Sequence, residues 1–214
     1  MELEQLKYPI GKLVMKKKYS EKEIQKMLSI IEKYPAKYKR LTKKLTDEDL
    51  AKTYREGSWN VRQLLTHISD MHILHFARFK QALSDENAVG FAANINGWNA
   101  LTEVHTAPVA DAIMLLEATH KRWVHLMHTM ALEDFNRTFF HPLRQTNLTL
   151  AQALAMGAWH SRHHFEHIKI NCNVLRLNVC TVIAKTRRRF ISATKTECSS
   201  CNFFYTINFR DFIF

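Results

Sequence analysis

The chain of 214 residues has little glycine and little proline, 5 and 4 residues respectively. Sandwiches, barrels and dinucleotide-binding folds need turn glycines, so this scarcity argues against all three and for long helices with short connections. No stretch reaches about 18 uninterrupted apolar residues, which excludes an expected membrane-spanning helix. The opening "MELEQLKYPIGKL" has early acids and no apolar run of the kind that heads a secretory signal, so the expected compartment is the cytoplasm. Cysteine occurs only at Cys172, Cys180, Cys198 and Cys201. The single "CSSC" has no second pair, and a lone pair is a weak zinc or redox signal.

The formal charge of +11 invites a nucleic-acid reading. Residues 171–214 hold seven Lys/Arg against two acids, which leaves an ordinary +6 on residues 1–170. No helix-turn-helix, aromatic RNA-binding set or zinc-finger spacing is present, so no specific nucleic-acid partner is expected. Composition also changes near residue 170. All twelve histidines precede Lys169 and all five glycines precede Ala158, whereas residues 171–214 hold six Phe and five Asn but no Gly, Pro or His. No period organises that tail. It is expected to be irregular and not a domain, prolonging the last helix by a turn or so, because Val174, Val179, Thr181, Val182 and Ile183 are stiff at χ1.

Periodicity places four long amphipathic helices before the tail. The first follows Ser20, which with Glu23 forms a capping box; Pro35 is expected to kink or split it. "TDEDL" offers a short second start capped by Thr46. The second long helix is capped by Asn60 with Gln63. A looser crossover spans Ser84 to about Thr106. The third helix is expected to be capped by Thr106 with Pro108 in its first turn. The fourth is boxed by Thr149 and Gln152. Four such helices make an all-α four-helix bundle the expected fold, with residues 1–19 packing on a domain of residues 20–170.

The densest chemistry is "WHSRHHFEHI", which puts His160, His163, His164 and His167 within ten residues. Histidines four apart lie on one helix face, which suits two ligands of one ion. On a wheel stepped by about 100° per residue, His164 falls within the apolar arc and His160 borders it, while His163 points away. Ala153 and Gly157, small and on the same arc, are expected to leave open space beside an ion. A bundle site needs a further ligand from a facing helix. His67, His72 and His75 on the second helix are all candidates, and periodicity leaves the choice open.

"YPIGKL", "REGSWNVRQLLTHISDMH", "RFKQAL", "RWVHLMHTM", "RTFFHP" and "WHSRHHFEHI" together resemble, in order, the YfiT group of the DinB-like superfamily. The resemblance runs from about Tyr8 to Ile168. It implies an antiparallel four-helix bundle, a cytoplasmic homodimer, and one divalent metal per subunit, zinc first and nickel second. Carried over by position, "WNVRQLLTH" supplies His67 and "WHSRHH" supplies His160 and His164, the same pair that the wheel selects; His67 rests on the resemblance alone. Three imidazoles leave a coordination position open, as in catalytic sites. The group is described in two ways, as metal-dependent hydrolases and as bacillithiol S-transferases, which implies a small-molecule substrate and, in the second case, a low-molecular-weight thiol as co-substrate. A non-catalytic, stress-related metal-binding bundle is the alternative. Asp70, one turn from His67, is a candidate to orient that ligand.

Overall fold

The computed structural model describes the backbone of residues 2–193 and the side chains of residues 2–171. The chain divides after Asn173, and the histidine-rich helices belong to the unit Met1–Asn173. The four long helices are α1 (Glu21–Thr42), α2 (Val61–Ser84), α3 (Val109–His128) and α4 (Leu150–Ala193). Reciprocal side-chain caps start the first two, Ser20 with Glu23 and Asn60 with Gln63. Thr149 and Gln152 make the same exchange ahead of α4. Each such cap satisfies backbone N–H groups that a helix start leaves free.

Three local expectations need correction. Of the kink or split expected at Pro35, the split does not occur: α1 runs unbroken past it. A proline inside a helix removes one hydrogen bond, and packing along a long buried face offsets that loss. Thr106 does not cap α3: it ends a short helix, Thr102–Thr106, and Pro108 stands at the cap position itself. The backbone of α4 continues to Ala193, well beyond one extra turn. Extending an existing helix adds one bond per residue fixed, and β-branched residues oppose it only weakly. The rest of the irregular tail expected from the sequence, residues 194–214, lies outside the described residues.

Two apolar clusters reveal how the helices run. One joins Ile24, Leu28 and Ile31 of α1 to Phe79 and Ala82 of α2, Trp123 and Met127 of α3, and Leu150 and Leu154 of α4. The other joins Tyr38 of α1, Val61, Leu64 and Ile68 of α2, Ile113 and Leu116 of α3, and Ile168 of α4. Early α1 and early α4 thus meet late α2 and late α3. The bundle is all-α as expected, with α2 and α3 parallel to each other and antiparallel to α1 and α4. That pairing requires the long crossover between α2 and α3, which contains the short helices Ile95–Asn99 and Thr102–Thr106. Between the two apolar clusters, midway along the bundle, lie the buried histidines.

The α3–α4 connection holds a hairpin that periodicity did not indicate. Strands β1 (Thr138–His141) and β2 (Thr146–Thr149) pair antiparallel, with Phe139 opposite Leu148. The crossover docks on β1: Gly90 N–H donates to the Phe140 carbonyl and Phe140 N–H to the Ala88 carbonyl, at 2.9 and 2.8 Å. The N-terminal segment lies along α4, where the Trp159 indole donates to the Gly11 carbonyl and the Gln152 amide to the Lys16 carbonyl, both at 3.1 Å.

Gly157 does not border open space. A Cβ there would stand 2.7 Å from Cη2 of Trp123, a fully buried indole. The glycine therefore admits the largest core side chain against the α4 backbone. Gly157→Ala is expected to destabilise the fold by about 1–3 kcal/mol through overpacking, less the roughly 1 kcal/mol that alanine gains in helix propensity. Chemical denaturation checks this; an unchanged or raised midpoint would show that Trp123 yields at no cost.

Candidate metal centre

Two helices supply the site. α2 presents His67, His72 and His75 on its buried stripe, and α4 presents His160, His163, His164 and His167. α3 adds His120, which is 2% exposed. Among the described residues, two sets of three side chains bring one nitrogen each to within 4.8 Å of the others: His67 with His160 and His164, and His163 with His164 and His167. The structure thus brings together the three residues expected from the sequence and adds a second, overlapping set. His163, expected to point away, instead joins the second set and lines the same cavity as the first three. It is buried, stacked on Trp159 with ring centroids 4.1 Å apart and covered by Tyr8 of the N-terminal segment.

Hydrogen bonds decide which nitrogens are bare. Pro35 has no N–H, so the Ile31 carbonyl four residues earlier has no partner within α1. That carbonyl bonds His120 Nδ1 at 2.5 Å, and a carbonyl only accepts, so His120 carries its proton on Nδ1. Its Nε2 then accepts from His72 Nδ1 at 2.7 Å. The Nε2 of His72 in turn accepts from His160 Nδ1 at 3.1 Å. The relay therefore leaves the Nε2 of His160 as an unprotonated lone pair, 3.0 Å from Nε2 of His67. The same holds along α4. His167 Nε2 bonds the Leu6 and Lys7 carbonyls at 3.1 and 3.3 Å, so its Nδ1 accepts from His164 Nδ1 at 3.3 Å. The Nε2 of His164 is then bare as well. With both ring nitrogens engaged, His167 is an orienting group in this arrangement.

Every link requires neutral imidazole, and burial supplies that. Desolvation pushes His67 and His120 down to about 4. It also holds His160 and His164 well below the ordinary value, with neighbouring histidines adding to the effect. A divalent ion fits this donor set: it takes neutral imidazole lone pairs, and two ligands at tetrahedral positions on zinc stand about 3.3 Å apart, close to the His67–His160 separation. Asp70 makes no hydrogen bond to His67 among the described residues, and burial, with Glu103 nearby, raises its carboxyl to about 6.

The triad opens on a cavity of 510 Å³. Trp59, Met71, Met156 and Trp159 form its apolar sides, and Ile95, His141, Leu143 and Arg144 from the crossover and hairpin form its far wall. Among the described residues, no Asp or Glu lines it. The His75 ring stacks on Trp123, 5.9 Å between centroids and 5° between planes, and has no contact with the triad nitrogens close enough to complete a set of ligands. Of the three candidates on the second helix, His67 is the one whose nitrogen groups with those of His160 and His164. Sequence reasoning also missed His120, whose signal lay only in a histidine on the third helix with no assigned partner.

Buried neutral histidines make stability depend on pH. His75 and His120 are held down to about 3 and about 4, against 6.5 when unfolded. Folded pKa values below the unfolded one give stability that is complete above pH 6.5 and is lost as pH falls toward 4. Each is expected to cost about 2 kcal/mol of stability on moving from pH 7.5 to pH 5. Urea denaturation at the two pH values tests this, and a flat or rising stability at pH 5 contradicts it.

Comparison with known proteins agrees with this architecture. The family model described as the DinB superfamily matches residues 30–168. YfiT of Bacillus subtilis, provisionally named a metal-dependent hydrolase, is 35% identical over 163 residues, which cover 76% of this chain and 92% of that protein. BH0277 of Halalkalibacterium halodurans, with the same provisional name, is 36% identical over 163 residues covering 76% and 94%. The solved structure of Bacillus subtilis YfiT, described as a four-helix bundle of unusual topology, superposes with a TM-score of 0.77 at 33% identity, over 80% of this chain and 98% of that one. A mycothiol-dependent maleylpyruvate isomerase shares the fold alone, at a TM-score of 0.56 and 14% identity over 68% of this chain and 60% of that one. By its sequence match and its bundle, this chain belongs to the DinB superfamily.

Proposed function

We propose that His67, His160 and His164 hold one divalent metal ion, zinc before nickel since imidazole suits both, and that the chain is a metal-dependent enzyme acting on a small molecule in the adjoining cavity. The observation that carries this is the convergence of three neutral imidazoles on the wall of a 510 Å³ cavity. When bound, such an ion supplies Lewis acidity and lowers the pKa of a water or thiol placed against it. The chain's own residues do the remaining work. The His120–His72 relay orients His160, His167 orients His164, and Trp59 and Trp159 exclude water from the sides. The provisional names of the relatives support a hydrolase. One observation favours transfer of a thiol: among the described residues no carboxylate lines the cavity to act as general base. A thiol ionises near pH 8.5 even away from the ion, whereas a water here would depend on the ion alone for its activation.

Replacing His67, His160 or His164 by alanine is expected to lower metal content at least 10-fold, on the order of 1.4 kcal/mol or more. His163→Ala is expected to retain the metal. The assignment fails if His163→Ala loses the ion and His164→Ala keeps it. His120→Phe, which breaks the relay without touching the triad, is expected to weaken metal affinity about 10–100-fold, as loss of an orienting partner does elsewhere. Competition with a chelating dye measures both. Incubating the metal-loaded protein with several thiols and an electrophilic acceptor separates the reactions: thiol loss supports the transferase, and metal-dependent cleavage without thiol supports the hydrolase.

A further inference from the structure

The end of the cavity away from the triad is built from cations. Arg78 of α2 is 8% exposed and lines the cavity. Its Nη2 donates to the Phe91 carbonyl at 2.9 Å, its only hydrogen bond among the described residues, and its buried Nε has no partner. No carboxylate pairs with it among the described residues, although seven other ion pairs form there. A buried guanidinium with no counter-charge is costly, and such groups are paired or functional. Arg144 at the hairpin turn lines the same space and is exposed and unpaired among the described residues. His141 lines the same space and is 6% exposed, its buried Nδ1 without a partner among the described residues.

Several features of the fold hold Arg78 in place. Its guanidinium carbon stands 5.8 Å from the centre of the Phe139 ring. Gly90 lies so close that a Cβ would meet Phe139 at 2.8 Å and Arg78 Nε at 3.3 Å. The strand contact between the crossover and β1 fixes both neighbours. A planar guanidinium held this way recognises carboxylate or phosphate oxygens through two parallel N–H groups.

We propose that Arg78 and Arg144, with His141, form a subsite for an anionic group, carboxylate or phosphate, at one end of a small-molecule substrate whose reacting end lies at the histidine triad. The placement of the reacting end rests on the tri-histidine reading; the anion subsite does not. His160 of the triad bonds His72, and Arg78 lies six residues beyond His72 on α2, about 9 Å along the axis, which the arginine side chain shortens by reaching back. The ligand is therefore a small organic anion. The cavity's apolar sides, Met71, Leu74 and Met156 among them, accept its middle.

Titration calorimetry on the full-length, zinc-loaded protein at low salt tests the subsite with succinate, inorganic phosphate and the neutral succinamide as probes. At least one anion is expected to bind at least 10-fold tighter than succinamide, and the tighter anion identifies the group recognised. Its affinity is expected to fall at least 10-fold in Arg78→Gln and at least 3-fold in Arg144→Gln; the exposed second site keeps the test valid if the buried substitution impairs folding. The same dependence is expected in a His67→Ala background, where binding to an intact triad is removed. Loss of metal without loss of arginine dependence would leave the subsite standing, and retention of metal in His67→Ala would count against the triad alone. Equal binding of succinamide, unchanged affinity in both arginine variants, or no anion binding at 10 mM would overturn the subsite.

Discussion

The Ile31 carbonyl is the point from which the order of the site propagates. Pro35 cannot donate to it, so a buried acceptor in the middle of α1 needs a partner from elsewhere. His120 provides that partner, and the choice of donor nitrogen then determines every tautomer from α3 through α2 to α4. A helix defect, ordinarily a loss of one bond, here sets the protonation of rings on three other helices. The relay works only where water cannot compete. The two apolar clusters on either side provide that dry layer, and burial keeps each ring neutral.

Bundle topology follows the same requirement. Parallel α2 and α3 put His72 beside His120, and antiparallel α4 brings His160 to His67 and His72. Joining parallel helices demands a connection as long as the bundle. That crossover, docked on the hairpin through Gly90, also forms the far wall of the cavity. One topological choice therefore provides both the histidine layer and the enclosure around it. Trp123, seated against Gly157, packs beside the histidine layer and stacks on His75.

The electrostatics of the cavity are uneven by construction. The triad imidazoles occupy one end and the guanidinium groups, with His141, the other, and among the described residues no acid lines the cavity. In a low-dielectric space such fixed charges act strongly on whatever enters. The surface ion pairs lie elsewhere, for example between Lys39 and Glu117, and are largely solvent-exposed, so they contribute little to stability.

Some of this was determined by the sequence alone. Capping residues such as Ser20, Asn60 and Thr149 marked helix starts because they act on N–H groups three residues away, within the same segment. The i,i+4 pair His160 and His164 was legible for the same reason, since helical geometry puts such residues on one face. Membership of the family was legible in six ordered motifs. Local reasoning failed wherever the partner was distant in the chain. Pro35 read as a kink or a split because the partner of the carbonyl it frees lies on α3. Gly157 read as empty space because the indole that fills it is 34 residues away in sequence. The hairpin Thr138–Thr149 was invisible because its strands are four residues each, too short to show a period. His67 could not be preferred over His72 and His75 by periodicity, since all three share one buried stripe. Only the packing of α2 against α4 decides which of them faces His160 and His164, because distances between helices are set by side-chain packing across the bundle and leave no trace in the spacing along either one.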